Sequence, residues 1–254
     1  MNQQSLTNKQ QLVAQTKYGN TCVIIPCYNE EECIVNLIKK IHDVLPDCKI
    51  IVIDDCSTDS SGSLIEKTGL AEVVKLPINL GIGGTAQTGF KYAVKYDFEY
   101  LLRLDGDGQH PPEFGLNLLE PLLKNEADCV IGSRFVSKKD GFRSTLLRRI
   151  GIRWFNLLNK LIIKQDIKDS TSGFRAYNRR LIDFLANNYP AFDYPEPEEI
   201  ILLGKNDFIL KEIGVKMKER GGGRSSISSL KSVYYMLKVT FSIFMVAIRP
   251  KIKK

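Results

Sequence analysis

A chain of 254 residues, 43% hydrophobic and 26% charged, is long enough for one large α/β domain and is neither a disordered nor an all-membrane composition. The net charge of +7 is uneven: residues 216–254 carry ten basic side chains against Glu219 alone, so the rest of the chain stands at −2. A basic end attracts nucleic acid, anionic lipid or phosphorylated ligands, and charge alone does not choose among them.

Residues 1–20 are polar, without a signal-peptide pattern, and read as a loose tail. TCVIIPCYNE is a short β-branched run closed by Pro26, and the stretch after it places apolar residues at 34, 37, 38, 41, 44 and 45, a helical stripe. Strand KIIVIDD, helix SLIEKTG and strand AEVVKLP follow. A glycine-rich loop, GIGGTAQ, then leads to helix TGFKYAVKY and strand YLLRLDGD. PPEFGLNLLEPLLKNE is a helix begun by proline, and DCVIGSRF is a further strand. This β-α alternation from 21 to 135 predicts a mostly parallel sheet with helices on both faces, whose ligands bind beyond the carboxyl ends of the strands. Tyr28–Glu30, Asp54–Asp55 and Asp105–Asp107 all fall there.

The second half is less regular. A helix near 143–163 holds the only tryptophan, Trp154. DSTSGFRAYNRRL reads as loop, short strand and helix start, YPEPEEIILLGKND as a loop running into a helix, and FILKEIGVKMKERGGGRSS as a strand pair closed by a mobile loop. At the C-terminus the longest charge-free apolar run, Val239–Ile248, is ten residues, against about 20 needed to span a bilayer. On a helix Val233, Leu237, Phe241, Phe244 and Ile248 line one side, while Lys231, Lys238, Ser242 and Arg249 fall largely on another. Two readings fit: a helix lying in the membrane interface, which the positive charge and apolar face favour over nucleic-acid binding, or a helix packed on its own domain. The six cysteines show no CxxC pairing and no zinc-finger spacing, as reduced, largely buried thiols of a cytosolic protein do.

The chemistry concentrates in DGDGQH, where Asp105 and Asp107 end an apolar strand with one glycine between them. An EF-hand beginning at Asp105 would need glycine and glutamate where the chain has His110 and Leu116. Two adjacent carboxylates instead suit a divalent cation whose shell is completed by substrate phosphates, as Mg²⁺ and Mn²⁺ prefer. Asp54 and Asp55 stand where acidic residues of nucleotide-binding folds accept hydrogen bonds from ribose or base, with Ser57 or Thr58 able to cap the next helix. NLGIGGTA matches a dinucleotide fingerprint only formally, since it follows the third strand, and predicts no nicotinamide or flavin.

Taken together and in order, PCYNEEE, IVIDDCSTD, NLGIGGTAQTGFKYA, DGDGQHPPE, IGSRF and STSGFRAY resemble a family 2 glycosyltransferase of GT-A fold, closest to the dolichyl-phosphate mannose and polyprenyl-phosphate sugar synthases. The resemblance covers roughly 21–225, with 226–254 as a basic amphipathic appendage. It implies that Pro26, Tyr28 and Glu30 line the nucleotide pocket, with Ile53 and Asp55 beside base and ribose. Asp105 and Asp107 match the DxD motif that holds Mg²⁺ or Mn²⁺ against the donor diphosphate of a UDP- or GDP-linked sugar. Gln109 matches a sugar-side glutamine, Arg134 an arginine near diphosphate and acceptor, and Arg220 a phosphate-contacting arginine, with Arg224 a candidate by position only. The implied acceptor is a polyprenyl phosphate, with inversion at the anomeric carbon, at the inner face of the membrane. The alternative is a hydroxyl of a lipid-linked glycan, which needs a base, and Glu198 is the candidate among Glu196, Glu198 and Glu199. The chain departs from the synthases at Gly106 and Gly108, where larger residues are usual, and this predicts extra room for the donor sugar.

Overall fold

The computed structural model describes residues 18, 20–136, 146–190, 193, 195–217 and 229–252. Among them, seven strands form one sheet: β1 (Thr21–Cys27), β2 (Lys49–Asp54), β3 (Glu72–Lys75), β4 (Tyr100–Arg103), β5 (Cys129–Ser133), β6 (Arg175–Asn178) and β7 (Leu210–Gly214). Their spatial order is β3-β2-β1-β4-β6-β5-β7. Every neighbouring pair is parallel except the two made by β6, which runs antiparallel between β4 and β5. The exits of the parallel strands therefore share one edge with the start of β6.

The helices are α1 (Ile34–Val44), α2 (Ser61–Thr68), α3 (Gly81–Lys95), α4 (Gly115–Leu123), α5 (Leu146–Ile163), α6 (Arg179–Asn188), α7 (Glu196–Lys205) and α8 (Ser229–Ile248). β1 explains the layering. It is apolar on both faces, sending Val23 and Ile25 toward α1 and α4, and Cys22 and Ile24 toward α3, α6 and α7. A Cβ on Gly89 would lie 2.4 Å from Ile24 Cγ2, so α3 rests directly on β1.

Three expectations are corrected. GIGGTAQ is the first turn of α3 and not a loop, because Asp55 accepts from Leu80 N at 2.7 Å and Gly81 N at 2.9 Å and so supplies the missing acceptors at the helix start. Neither Ser57 nor Thr58 caps α2; Ser57 Oγ accepts from Asn29 N, and Asp59 Oδ1 takes Ser61 N. β7 joins β5 in parallel where a strand pair was expected; Val215–Met217 carry no strand, and residues 218–228, with Arg220 and Arg224, lie outside the described residues.

The C-terminal helix is part of the core. Val239, Ile243 and Val246 of α8 are buried with Ile200, Ile201 and Leu203 of α7. Lys205 donates to the carbonyls of Val246, Ala247 and Arg249, a cation against the negative end of α8. No helix among the described residues is long and apolar enough to cross a membrane. All six cysteines are free, with Cys22, Cys27, Cys48 and Cys129 buried.

Candidate active site

Two loops form the first wall of the strand-end edge. Asn29, at φ 55°, accepts through Oδ1 from Thr58 N at 2.8 Å, and Glu30 N donates to Ser61 Oγ at 2.9 Å. Asp54 takes Ser57 N at 3.0 Å. Tyr28 is exposed above this lacing, Glu30 is half-buried and Pro26 is buried in β1. Ile53 does not line the site with its side chain, which is fully buried in the sheet core; only its backbone reaches the strand end. Asp55 spends one hydrogen bond per oxygen on the start of α3, so its first role is to hold that glycine-rich turn.

The loop after β4 carries the two aspartates. Asp105 N donates to His110 Nδ1 at 2.9 Å, which leaves the imidazole proton on Nε2, 3.6 Å from Asp105 Oδ2. His110 is buried and stacked on Phe174, and burial, with Arg134 and Arg103 adding to it, lowers its pKa to about 4. It is therefore a neutral support for the Asp105 backbone. Asp107 Oδ1 accepts from Gln109 N at 3.1 Å, tightening the turn through Gly108, whose φ of +72° suits glycine. The extra room expected at Gly106 is absent: a Cβ there would meet the Pro26 carbonyl oxygen at 3.0 Å. Gly106 clamps this loop to β1, and only Gly108 faces open space.

Distant residues supply the second wall. A Cβ on Gly173 would sit 2.8 Å from Asp105 Oδ1, so this glycine is the floor on which the carboxylate rests. Gly173 O in turn accepts from Arg103 Nε at 3.0 Å, and Arg103 Nη2 reaches Glu196 Oε1 at 2.8 Å. Arg175 pairs with Glu199 at 2.9 Å, and Tyr177 and Tyr189 donate to the same carboxylate. Two arginines and two glutamates balance one another in a buried network directly behind Asp105. Arg134 is likewise held, by a two-pronged contact with Asp169 at 2.8 and 2.6 Å, with Thr171 Oγ1 at 2.7 Å from the same guanidinium.

The YPEPEE carboxylates are sorted by helix position. Glu196, in the first turn of α7, pairs with Arg103; burial raises its pKa, Arg103 opposes the rise and the charge of Asp105 adds to it. Glu198 points the other way, to Ser242 of α8, where burial raises its pKa against that hydrogen bond. The structure thus does not bring Glu198 to the aspartates. Sequence reading missed Arg103, Gly173 and Asp169 as site residues and weighed Glu196 only as an alternative base; STSGF, already part of the resemblance, was the one local signal for Gly173.

Asp105 and Asp107 offer carboxylate oxygens on a shared loop, with Asp105 cradled by Gly173. No group of three or more metal-ligating side chains occurs among the described residues. This donor set fits a Mg²⁺ or Mn²⁺ ion that shares its shell with substrate phosphates.

Residues 22–185 match the family model for glycosyl transferase family 2. Polyprenol monophosphomannose synthase of Mycolicibacterium smegmatis is 29% identical over 86% of this chain and 85% of its own. UDP-N-acetylglucosamine--dolichyl-phosphate N-acetylglucosaminyltransferase of Methanococcus voltae is 26% identical over 76% of this chain and 84% of its own. Glucosyl-3-phosphoglycerate synthase of Mycobacterium tuberculosis, solved with Mn²⁺, UDP and glucosyl-3-phosphoglycerate, shares the fold at a TM-score of 0.65 and 21% identity, over 91% of this chain and 80% of that one. With the strand-end aspartates, the sheet order and these relatives in view, the chain belongs to glycosyl transferase family 2 and is a glycosyltransferase of GT-A-like fold.

Proposed function

We propose that the protein transfers a hexose from a UDP- or GDP-sugar to a polyprenyl phosphate, with inversion at the anomeric carbon. The observation that carries this reading is the Asp105–Asp107 loop, cradled at the strand ends of a family 2 chain whose relatives include polyprenyl- and dolichyl-phosphate sugar transferases. Asp105 and Asp107 would hold Mg²⁺ or Mn²⁺, which would supply charge stabilisation to a leaving diphosphate. In this reading Tyr28, Glu30 and Asp55 border the nucleoside, Gln109 lies toward the sugar and Arg134 toward the phosphates, while a phosphate contact by Arg220 rests on the family resemblance alone.

A polyprenyl phosphate is already an anionic nucleophile, so the protein's task is to position the reactants and stabilise charge, with no proton to remove. The acidic turn of α7 supports this. Glu196 and Glu199 are held by arginines and Glu198 by Ser242, so none of the three is set apart as a base. Reaction takes place at the inner face of the membrane, where the lipid acceptor lies and the protein binds peripherally.

Incubation with labelled UDP- and GDP-sugars, undecaprenyl phosphate and Mn²⁺ tests the proposal. A lipid product labile to mild acid is expected. Product formed only when a lipid-linked glycan is supplied would transfer the reading to a hydroxyl acceptor.

A further inference from the structure

The guanidinium of Arg134 is placed by contacts that begin on another strand. Arg134 follows β5 directly, and Asp169 accepts from its backbone N at 2.9 Å and from Nε and Nη2 at 2.8 and 2.6 Å. Thr171 Oγ1 accepts from Arg134 Nη2 at 2.7 Å and donates to Asp169 Oδ1 at 3.3 Å. The Asp169 side chain is fully buried and that of Arg134 is 14% exposed. A planar fork gripped along one edge has its direction fixed.

The gripping carboxylate is itself held. Lys168 N and Asp169 N each donate at 2.8 Å to one oxygen of Glu212, in β7. The Ser133 hydroxyl donates to the same carboxylate. Burial pushes the Glu212 carboxyl up in pKa, and these donors oppose the rise. Ser133 precedes Arg134 in the chain and Asp169 grips its side chain, so one carboxylate ties together both supports of the arginine. The sheet itself does not call for this residue, because β7 pairs with β5 through backbone groups from Cys129 to Ser133.

The same loop reaches the aspartates. Ser172 Oγ donates to Gly132 O at 2.7 Å, and Gly173, the next residue, lies under Asp105. Residues 168–173 thus run as a brace from Glu212, past Arg134, to the Asp105 carboxylate. A misplacement of about 1 Å among groups that act on one substrate can cost about 100-fold in rate.

We propose that Glu212 is a positioning residue for the transfer reaction: by holding Ser133 and the Lys168 and Asp169 amides on one carboxylate, it sets where Arg134 stands relative to the aspartate loop. This deepens, and rests on, the reading that places Arg134 toward the donor phosphates. Glu212 acts through the arginine and not on the substrate.

Glu212→Gln keeps the shape of the side chain but turns an amide N–H toward one of the two backbone N–H groups. The first measurement is hydrogen exchange at the Arg134 Nε–H, by NMR of the ligand-free full chain isotope-labelled at arginine and assigned with Arg134→Lys. Exchange should quicken about tenfold or more in Glu212→Gln, while the Nε–H groups of Arg103 and Arg175, bonded to Gly173 O and Ser172 O, keep wild-type rates. An unchanged rate at Arg134, or equal quickening at all of these arginines, overturns the proposal. The second measurement is turnover with sugar donor, undecaprenyl phosphate and Mn²⁺. Glu212→Gln should lower it about tenfold and Arg134→Gln about 100-fold, with the double variant within about twofold of Arg134→Gln. Equal fractional losses from Glu212→Gln in both backgrounds, or wild-type turnover in Arg134→Gln, overturn the positioning role. Should Glu212→Gln not fold, Glu212→Asp, whose carboxylate falls one methylene short, is measured in the same way. If the wild type transfers no sugar, the proposed reaction fails, and the exchange rates still decide whether Glu212 holds Arg134.

Discussion

The two walls of the active-site edge are built on different principles. The wall from β1 and β2 is laced by short loops, in which Asn29, Ser57 and Ser61 bind backbone groups across partly exposed turns. The wall behind Asp105 is made of buried ion pairs between residues far apart in the chain, Arg103 with Glu196 and Arg175 with Glu199. The difference teaches a division of labour: loops hold the groups proposed to meet ligands, and the buried network backs the position of Asp105.

The sharpest way to break this division is at the presented groups. Asp107→Ala should lower turnover at least about 100-fold, roughly 3 kcal/mol of transition-state stabilisation, with little change in urea stability. Unchanged turnover would remove the aspartate loop from the chemistry. Arg175→Met should do the reverse, costing about 3–5 kcal/mol of stability by leaving Glu199 buried without its cation; a urea midpoint equal to that of wild type would show the network to be dispensable. Gly173→Ala probes the join between walls. Its Cβ would press on Asp105 from 2.8 Å, so the Mn²⁺ concentration for half-maximal activity should rise about tenfold while stability falls by about 1–3 kcal/mol. A normal metal requirement in that variant would disconnect Gly173 from the site.

The smallest effect is expected at Glu198. Its raised pKa means that the folded protein disfavours the ionised carboxylate, so a neutral amide removes a burden above that pKa. Glu198→Gln should keep turnover within about twofold, with melting temperature at neutral pH equal to or slightly above wild type. A large loss of turnover would restore Glu198 as a base and favour a hydroxyl acceptor.

What the sequence disclosed followed the same division. The strands and helices from 21 to 135 were legible because each is a contiguous periodic run, and the aspartate loop because its residues are neighbours in the chain. GIGGTAQ was misread as a loop since its helix start depends on Asp55, 25 residues upstream of Leu80. Arg103 looked like an ordinary strand residue, its partner being 93 residues away. Choosing Glu198 over Glu196 was a matter of helix phase: nearby acidic positions point to different neighbours, and the packing of α7 on α8 turns Glu198 to Ser242 while Glu196 reaches Arg103. Gly106 could be read as spacious only until the β1 backbone was seen against it.

The antiparallel strand β6 also sets an order of events during synthesis. It separates β4 from β5, which are consecutive in the chain yet share no pairing. A nascent chain that has emerged only as far as Ser133 therefore holds two strands with open edges, a state prone to wrong partners. The sheet closes when residues 175–178 arrive, and that step draws Gly173 under Asp105. Pairing of β6 between β4 and β5 and completion of the aspartate cradle are thus one and the same structural step, since Gly173 lies two residues before the start of β6.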